Sequence, residues 1–391
     1  MTMYLTPEEE RVLDGEHGWA YQVSMKILAK LGDLFGATRL IPIKSAHISG
    51  VSYKTMGDAP IDFLEALTSA GGKAQVPSTL NPSCFDPDYP SQMGISEGQR
   101  EKQLRIIDLY GGLGVDPALT CTPYYLHKLG HGCHLAWSES SAVIYANSVL
   151  GALTNREGSP SALAASLIGK TPDYGMHQAE NREANILVRV ESDLRNGAEF
   201  GALGVHLGRM LKDKVPVFEG LTSYTDEDLK QLGAGLASSG MVSVFHYNEP
   251  CEKGGMETIS IEAKDIRNAI ESLSTATEAP DLIFIGCPHC SINEMKSIAQ
   301  ALNNKKVREK TKLWVCTSRH VKGRSKKYVD IIESAGGHVL CDTCAIVTWI
   351  KNLGINTMLT NSAKAAYYAP TLNQVNAILA PLNECTEASC G

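Results

Sequence analysis

The chain has no run of roughly 18 or more consecutive apolar residues, so no membrane-spanning helix is expected. No secretory signal is expected either. The N-terminus reads Thr6-Pro7-Glu8-Glu9-Glu10, a helix start with Thr6 as N-cap, Pro7 at the first helical position and Glu9 where a capping box requires it. Positive charge is not in excess, since 36 Lys and Arg face 43 Asp and Glu for a net charge of -7. The basic clusters are short, Lys305-Lys306 with Arg308 and Lys310, and Arg324-Ser325-Lys326-Lys327. Both suit solvated helix ends rather than a nucleic-acid surface. These absences point to a cytoplasmic protein with neither a membrane nor a nucleic acid as partner.

What remains is a globular chain, 43% hydrophobic and 20% charged, whose 391 residues can bury a large core in two or three domains. It carries eleven cysteines. Without a secretion signal these are expected as reduced thiols or metal ligands rather than disulfides.

The stretch Asp281-Leu282-Ile283-Phe284-Ile285-Gly286-Cys287-Pro288-His289-Cys290-Ser291 joins a short apolar run, the pattern of a buried parallel strand, to two thiols and an imidazole. A helical pattern follows at Ile292, Met295, Ile298, Ala299 and Leu302. The Cys-Pro-His-Cys turn is thus expected at a strand-to-helix junction, where open α/β sheets keep their ligands.

Upstream, helix signals run from Thr6 to Leu34 and a strand from Arg39 to Ile43. The loop Lys44 to Lys54 is dense in small hydrogen-bonding residues and suits a polar ligand more than a core. A helix over 60–70, a strand over 73–77, a helix over 97–110 and a strand over 117–123 ending near Cys121 are expected next. Ser138 or Ser140 is expected to cap a helix from Ala142, and Arg156 is placed to meet a carboxylate or phosphate.

The middle of the chain reads as a helix over 161–168 closed by Gly169, a strand over 186–191, a Gly-rich helix over 199–211 and a linker from Lys212 to Asp226. A helix through Leu232 and a strand over 241–245 follow. From about Thr275 the pattern is doubly wound: strands at 282–285, 312–315, 339–340 and 357–359 alternate with helices, including one from Ala345 and one that Lys364 enters. Cys287, Cys316, Cys341/Cys344 and Asn361-Ser362-Lys364 fall where these strands end, on one edge of one sheet. The domains expected are an N-terminal α/β catalytic region, 1–211, a connecting region, 212–275, and a doubly wound region, 276–391, carrying two of the key cysteines.

Cys287-Pro-His-Cys290 with Cys341-Asp-Thr-Cys344 has the two-pair signature of tetrahedral zinc. Cys-Pro-His-Cys between a strand and a helix also fits a thioredoxin-like redox pair. A third reading takes one thiol from each pair and adds Cys121, as three ligands of an iron-sulfur cluster with an open iron. Spacing leaves all three open. Cys84, Cys133, Cys251 and Cys316 are expected as ordinary thiols, His131 and His134 as packing or surface residues, and Cys385 and Cys390 as part of a flexible terminus.

Several of these stretches together resemble the aconitase X family of dehydratases. They are Lys44-Ser45-Ala46-His47-Ile48-Ser49-Gly50-Val51-Ser52-Tyr53-Lys54, Asn81-Pro82, Cys121-Thr122-Pro123-Tyr124-Tyr125, Trp137-Ser138-Glu139-Ser140-Ser141-Ala142, Thr154-Asn155-Arg156-Glu157-Gly158, Gly286-Cys287-Pro288-His289, Asp342-Thr343-Cys344 and Thr360-Asn361-Ser362-Ala363-Lys364. The resemblance spans almost the whole chain. It implies an aconitase-like α/β/α fold with doubly wound sheets around a cleft, here lacking the swivelling domain, so that a small partner subunit is expected to supply it.

It further implies an iron-sulfur hydro-lyase with Cys121, Cys287 and Cys344 as ligands of a cluster, 4Fe-4S with one open iron, while Cys290 and Cys341 are bystanders. Gly50, Val51, Ser52, Asn81, Pro82, Glu139, Ser140 and Lys364 fall on substrate-pocket positions, with Glu139, Ser140 and Lys364 nearest the reaction. The activity implied is dehydration of (R)-5-phosphomevalonate to trans-anhydromevalonate 5-phosphate in a modified mevalonate route to isoprenoids, with a serine of the swivelling subunit as base. The alternatives are a cis-3-hydroxy-L-proline dehydratase and, outside enzymes, a zinc-stabilised assembly protein.

Overall fold

A computed structural model describes residues 3–90, 93–126, 128–247 and 255–390. The chain forms two compact units, Met1–Cys84 with Ser96–Glu183, and Phe85–Ile95 with Ala184–Gly391. Among the described residues no helix is long and apolar enough to cross a membrane.

The first unit opens with the capping box read from the sequence: Thr6 accepts from the Glu9 amide and the Glu9 side chain accepts from the Thr6 amide. The continuous helix expected to Leu34 is two helices, Pro7–Asp14 and Trp19–Phe35. Gly15 and Gly18 both adopt positive φ, and the chain turns between them. The second helix packs Ala20, Met25 and Leu28 inward. Behind it lie the short antiparallel pair Leu40–Pro42 and Lys170–Pro172 and a parallel sheet in the order Ser78–Leu80, Ala46–Ile48, Ala136–Trp137.

Four further expectations fail in this unit. The loop from Lys44 contains the central strand of the parallel sheet, and Ala46, Ile48 and Val51 belong to hydrophobic clusters. The strand expected at 73–77 lies instead at Ser78–Leu80. Residues 117–123 form no strand; a single bridge, Thr79 to Asp116, precedes them, and Pro123–Tyr125 is a 3-10 turn. Helix Ser140–Ser148 is capped by Glu139, whose carboxylate accepts from the Ser141 amide, and not by Ser138 or Ser140. Helix Ser159–Ile168 ends at Gly169 as expected.

The second unit holds two parallel sheets. One runs His246–Tyr247, Pro216–Glu219, Ile186–Val190, Glu257–Ile261. The expected linker over 212–226 therefore contains a strand with Val217 and Phe218 buried, and the strand expected at 241–245 sits at His246–Tyr247. Helices Gly197–Leu211 and Asp226–Ser239 approach through glycine: a Cβ on Gly204 would meet the Leu232 carbonyl, and one on Gly235 the Gly201 carbonyl.

The other sheet runs His338–Leu340, Lys312–Thr317, Leu282–Cys290, Thr357–Thr360, Asn376–Leu379. All of its pairings are parallel, so its carboxyl ends share one edge as the cysteine positions required. Its central strand is longer than expected and continues through the Cys-Pro-His-Cys segment to Cys290, with a register shift after Ile285. Gly286, at φ 108, lies where a Cβ would collide with the Cys316 carbonyl. No α-helix forms from Ala345; a 3-10 turn at Ile350–Leu353 takes its place. The terminus is ordered helix, Leu382–Ser389, with Cys385 and Cys390 buried, which corrects the expected flexible tail. Cys251 lies outside the described residues.

Candidate functional site

Each unit carries its own set of candidate residues at the carboxyl ends of parallel strands. In the first unit the register places His47 beside Thr79 on one side and Trp137 on the other. Side chains two residues apart share a face, so Asn81 and Glu139 extend the same row. The structure joins them directly: Asn81 Nδ2 donates to Glu139 Oε2 at 2.6 Å, and His47 Nε2 lies 3.0 Å from Asn81 Oδ1. Glu139 Oε1 accepts from the Ser141 hydroxyl at 2.9 Å, which fixes the carboxylate on the first turn of its helix.

The Gly50-Val51-Ser52 loop is held by a residue the sequence reading passed over. Gln103 is fully buried, donates to the Val51 carbonyl at 3.0 Å, and accepts from the amides of Tyr53 at 2.8 Å and Cys84 at 3.0 Å. Ser159 adds a 2.7 Å bond to the Ser49 carbonyl. Gly50 takes positive φ, and Pro82, next to Asn81, and Ser140, next to Glu139, are buried. A lone glutamine in an amphipathic helix gives no signal of such a task; only tertiary structure supplies its partners.

In the second unit Cys287, on the strand Leu282–Cys290, and Cys344, in the loop after the strand His338–Leu340, are tied by an imidazole. His289, fully buried, donates from Nε2 to the Thr343 carbonyl at 2.9 Å. From below, Lys230 of helix Asp226–Ser239 donates to the His289 carbonyl at 3.2 Å and pairs with Glu294, and Gln231 Nε2 donates to the Cys287 carbonyl at 3.4 Å. A buried lysine is costly unless so paired. The Cys341–Cys344 loop has a second anchor: Asp86 accepts from the Cys341 amide at 2.7 Å, and Arg319 joins Asp86, Asp88 and Asp342. Asp342 takes positive φ, and burial raises its carboxyl to about 6 against the pull of Arg319.

The thiols differ in burial. Cys121 and Cys344 are 8% exposed and Cys287 5%, whereas Cys316 and Cys341 are sealed at 0% and Cys290 at 1%. Burial pushes the Cys341 thiol up to about 12 and the Cys316 thiol well above its usual range. No disulfide joins the described cysteines. Among the described residues no group of three or more His, Cys, Asp or Glu side chains is gathered to hold a metal ion.

Buried polar atoms without hydrogen-bond partners mark the same edge. Gln231 Oε1, Thr343 Oγ1 and Asn361 Oδ1 have none, and each such atom costs about 1–3 kcal/mol unless something else satisfies it. Lys364, in the short helix Ala363–Tyr368 capped by Ser362, is half-buried after the strand Thr357–Thr360. His134, expected as a packing or surface residue, meets His177 at 3.0 Å between their Nδ1 atoms.

Parallel sheets with thiols and polar pairs at their strand ends define an α/β protein of the aconitase-like class. Comparison with known proteins gives the family. Sequence models of the first, second and third domains of aconitase X match residues 2–180, 184–271 and 280–391. The chain belongs to the aconitase X family.

It is 46% identical to the phosphomevalonate dehydratase large subunit of Methanocaldococcus jannaschii, over 98% of this chain and 99% of that protein. It is 32% identical to the cis-3-hydroxy-L-proline dehydratase of Pseudomonas aeruginosa, over 98% of this chain and 69% of that protein. The crystal structure of Thermococcus kodakaraensis aconitase X in its holo-form superposes with a TM-score of 0.93 at 40% identity, covering 99% of this chain and all of that one.

Proposed function

We propose that this chain is the large, catalytic subunit of a cytoplasmic hydro-lyase that dehydrates (R)-5-phosphomevalonate to trans-anhydromevalonate 5-phosphate. One observation carries the reading: the archaeal relatives with 41–46% identity over nearly the whole chain are phosphomevalonate dehydratase large subunits, while the hydroxyproline dehydratases stand at 30–32%. The second reading, a cis-3-hydroxy-L-proline dehydratase, rests on those last two relatives.

We assign Cys121, Cys287 and Cys344 to an iron-sulfur cluster, of the 4Fe-4S type with one open iron. The donor chemistry supports this, since three thiols that keep some exposed surface suit iron, while sealed and strongly protonated neighbours do not. The unsatisfied Gln231, Thr343 and Asn361 atoms support an occupant at the same edge. When bound, such a cluster supplies Lewis-acid chemistry at a substrate hydroxyl.

The chain's own side chains hold the substrate. Asn81 and Glu139 offer a fixed donor and acceptor, Ser140 opens a helix whose amides favour anionic groups, and the Gly50-Val51-Ser52 loop presents backbone held by Gln103. Lys364 neutralises an anionic end. The proton alpha to the carboxylate goes to a serine of a small swivelling-domain subunit, which the "large subunit" names of the relatives support as a partner. Co-expression with that subunit, anaerobic reconstitution with iron and sulfide, and parallel assay of both substrates test the proposal. Dehydration of phosphomevalonate is expected; reaction with hydroxyproline alone refutes it.

A further inference from the structure

The row of side chains on the first unit's parallel sheet contains a directional hydrogen-bond chain whose His47 and Thr79 end the roles above leave unused. His47 Nδ1 lies 2.8 Å from Thr79 Oγ1, His47 Nε2 3.0 Å from Asn81 Oδ1, and Asn81 Nδ2 2.6 Å from Glu139 Oε2. His47 and Thr79 are enclosed, and the backbone beneath is zipped by Asn81 N to the Ile48 carbonyl and Ser138 N to the His47 carbonyl, both at 2.9 Å.

The direction of the chain follows from its acidic end. A carboxylate only accepts, so Asn81 must turn its NH2 toward Glu139, leaving its carbonyl oxygen for His47. That oxygen also only accepts, so His47 carries its proton on Nε2, and its bare Nδ1 takes the Thr79 hydroxyl. Flipping Asn81 would set its oxygen against the carboxylate and its NH2 against the Nε2 proton. Burial, opposed by Asn81 and Glu139, lowers the His47 pKa to about 4, so the neutral ring the chain requires is the one present near neutrality.

We propose that His47 is a positioning residue for the dehydration: as its Nε2-protonated tautomer it locks the Asn81 amide with the NH2 on Glu139, so both groups face substrate in one orientation. The inference rests on the reading of Asn81 and Glu139 as pocket residues. It gives a role to a fully buried histidine whose two ring nitrogens are both hydrogen-bonded. Burial strengthens the His47–Thr79 link, because no water competes there for donor or acceptor.

The test uses the assembled enzyme, this chain with its small subunit, anaerobically loaded and supplied with 5-phosphomevalonate. His47→Leu keeps the volume and removes both polar atoms, and kcat/KM is expected to fall about 10- to 100-fold, mainly in kcat. His47→Gln, with one donor and one acceptor, is expected to restore kcat/KM to within about fivefold of the parent. Adding His47→Leu to Asn81→Ala is expected to cost nothing beyond Asn81→Ala alone. Additive losses, or a Leu variant that melts lower with kcat unchanged, overturn the proposal.

A second readout needs no turnover. With 15N-histidine labelling of this chain, the His47 resonances, identified by their loss in His47→Gln, are expected to report a protonated Nε2 and a bare Nδ1 from pH 6 to 8. An Nδ1-protonated ring or an imidazolium in that range overturns the proposal. A parent enzyme that leaves phosphomevalonate untouched refutes the functional reading instead, and the nitrogen spectrum still decides the tautomer.

Discussion

The two units place polar chemistry on the ends of parallel strands in different ways. In the first, strands of two or three residues carry oxygen and nitrogen groups bonded side chain to side chain, His47 to Asn81 to Glu139. In the second, a nine-residue strand carries thiols, and the bonds run from side chains to backbone: His289 to the Thr343 carbonyl, Lys230 to the His289 carbonyl, Gln231 to the Cys287 carbonyl. The first scheme fixes the orientation of functional groups. The second fixes the loops from which thiols project, and suits a site whose geometry an inorganic group completes. Substitutions should therefore damage the two units differently.

The largest expected effect is on metal. Cys287→Ala should abolish iron retention after anaerobic reconstitution, whereas Cys290→Ala, at a sealed sulfur three residues along the same strand, should leave iron content near that of the parent. Equal loss in both would blur the distinction between ligand and bystander. His289→Ala should weaken retention about 10- to 100-fold, because the loop carrying Cys344 loses its tie to the strand carrying Cys287.

Next comes stability in the second unit. Lys230→Met should destabilise the chain by about 3 kcal/mol in denaturant unfolding, since Glu294 and the His289 carbonyl lose their buried cation. A neutral result would show that this clamp contributes less than its burial suggests.

The comparison sharpens with pH. His47 has a folded pKa of about 4 against an ordinary 6.5, so the stability it contributes is present above pH 6.5 and lost as pH falls toward 4, about 3 kcal/mol in all. Asp342 has a folded pKa of about 6 against 3.8, so its contribution is present below pH 3.8 and lost as pH rises through 6, of similar size and opposite sign. Bulk melting sums the two slopes. Hydrogen exchange read unit by unit separates them, and His47→Leu and Asp342→Asn should each flatten only their own. The smallest effect is at a cap: Thr225→Ala should lower stability by about 1 kcal/mol through loss of the Asp228 capping box.

The same contrast explains how much could be read in advance. The five-stranded sheet announces itself, because apolar runs end in glycine, cysteine or polar clusters at regular spacing, and Cys287, Cys341 and Lys364 fall near the positions expected for them. The three-residue strands of the first unit leave too short a period to register. The strand expected at 73–77 lies at Ser78–Leu80, and the buried strand at Ala46–Ile48 reads in sequence as a polar ligand loop, since its histidine and flanking serines make sense only once Thr79, Asn81 and Ser138 surround them. Family motifs drew attention to Asn81 and Glu139. His47, which meets Asn81, Thr79, which meets His47, and Gln103, which holds the Gly50-Val51-Ser52 loop, emerged from hydrogen bonds that cross 19 to 52 residues of sequence.

The central claim is the reaction itself, and one measurement meets it directly: product analysis by mass spectrometry after incubating the reconstituted two-subunit assembly with 5-phosphomevalonate and, separately, with cis-3-hydroxy-L-proline. Loss of one water from phosphomevalonate, absent when Cys287→Ala replaces the parent chain, is the predicted result. Water loss from hydroxyproline alone, or undiminished turnover by Cys287→Ala, would contradict it.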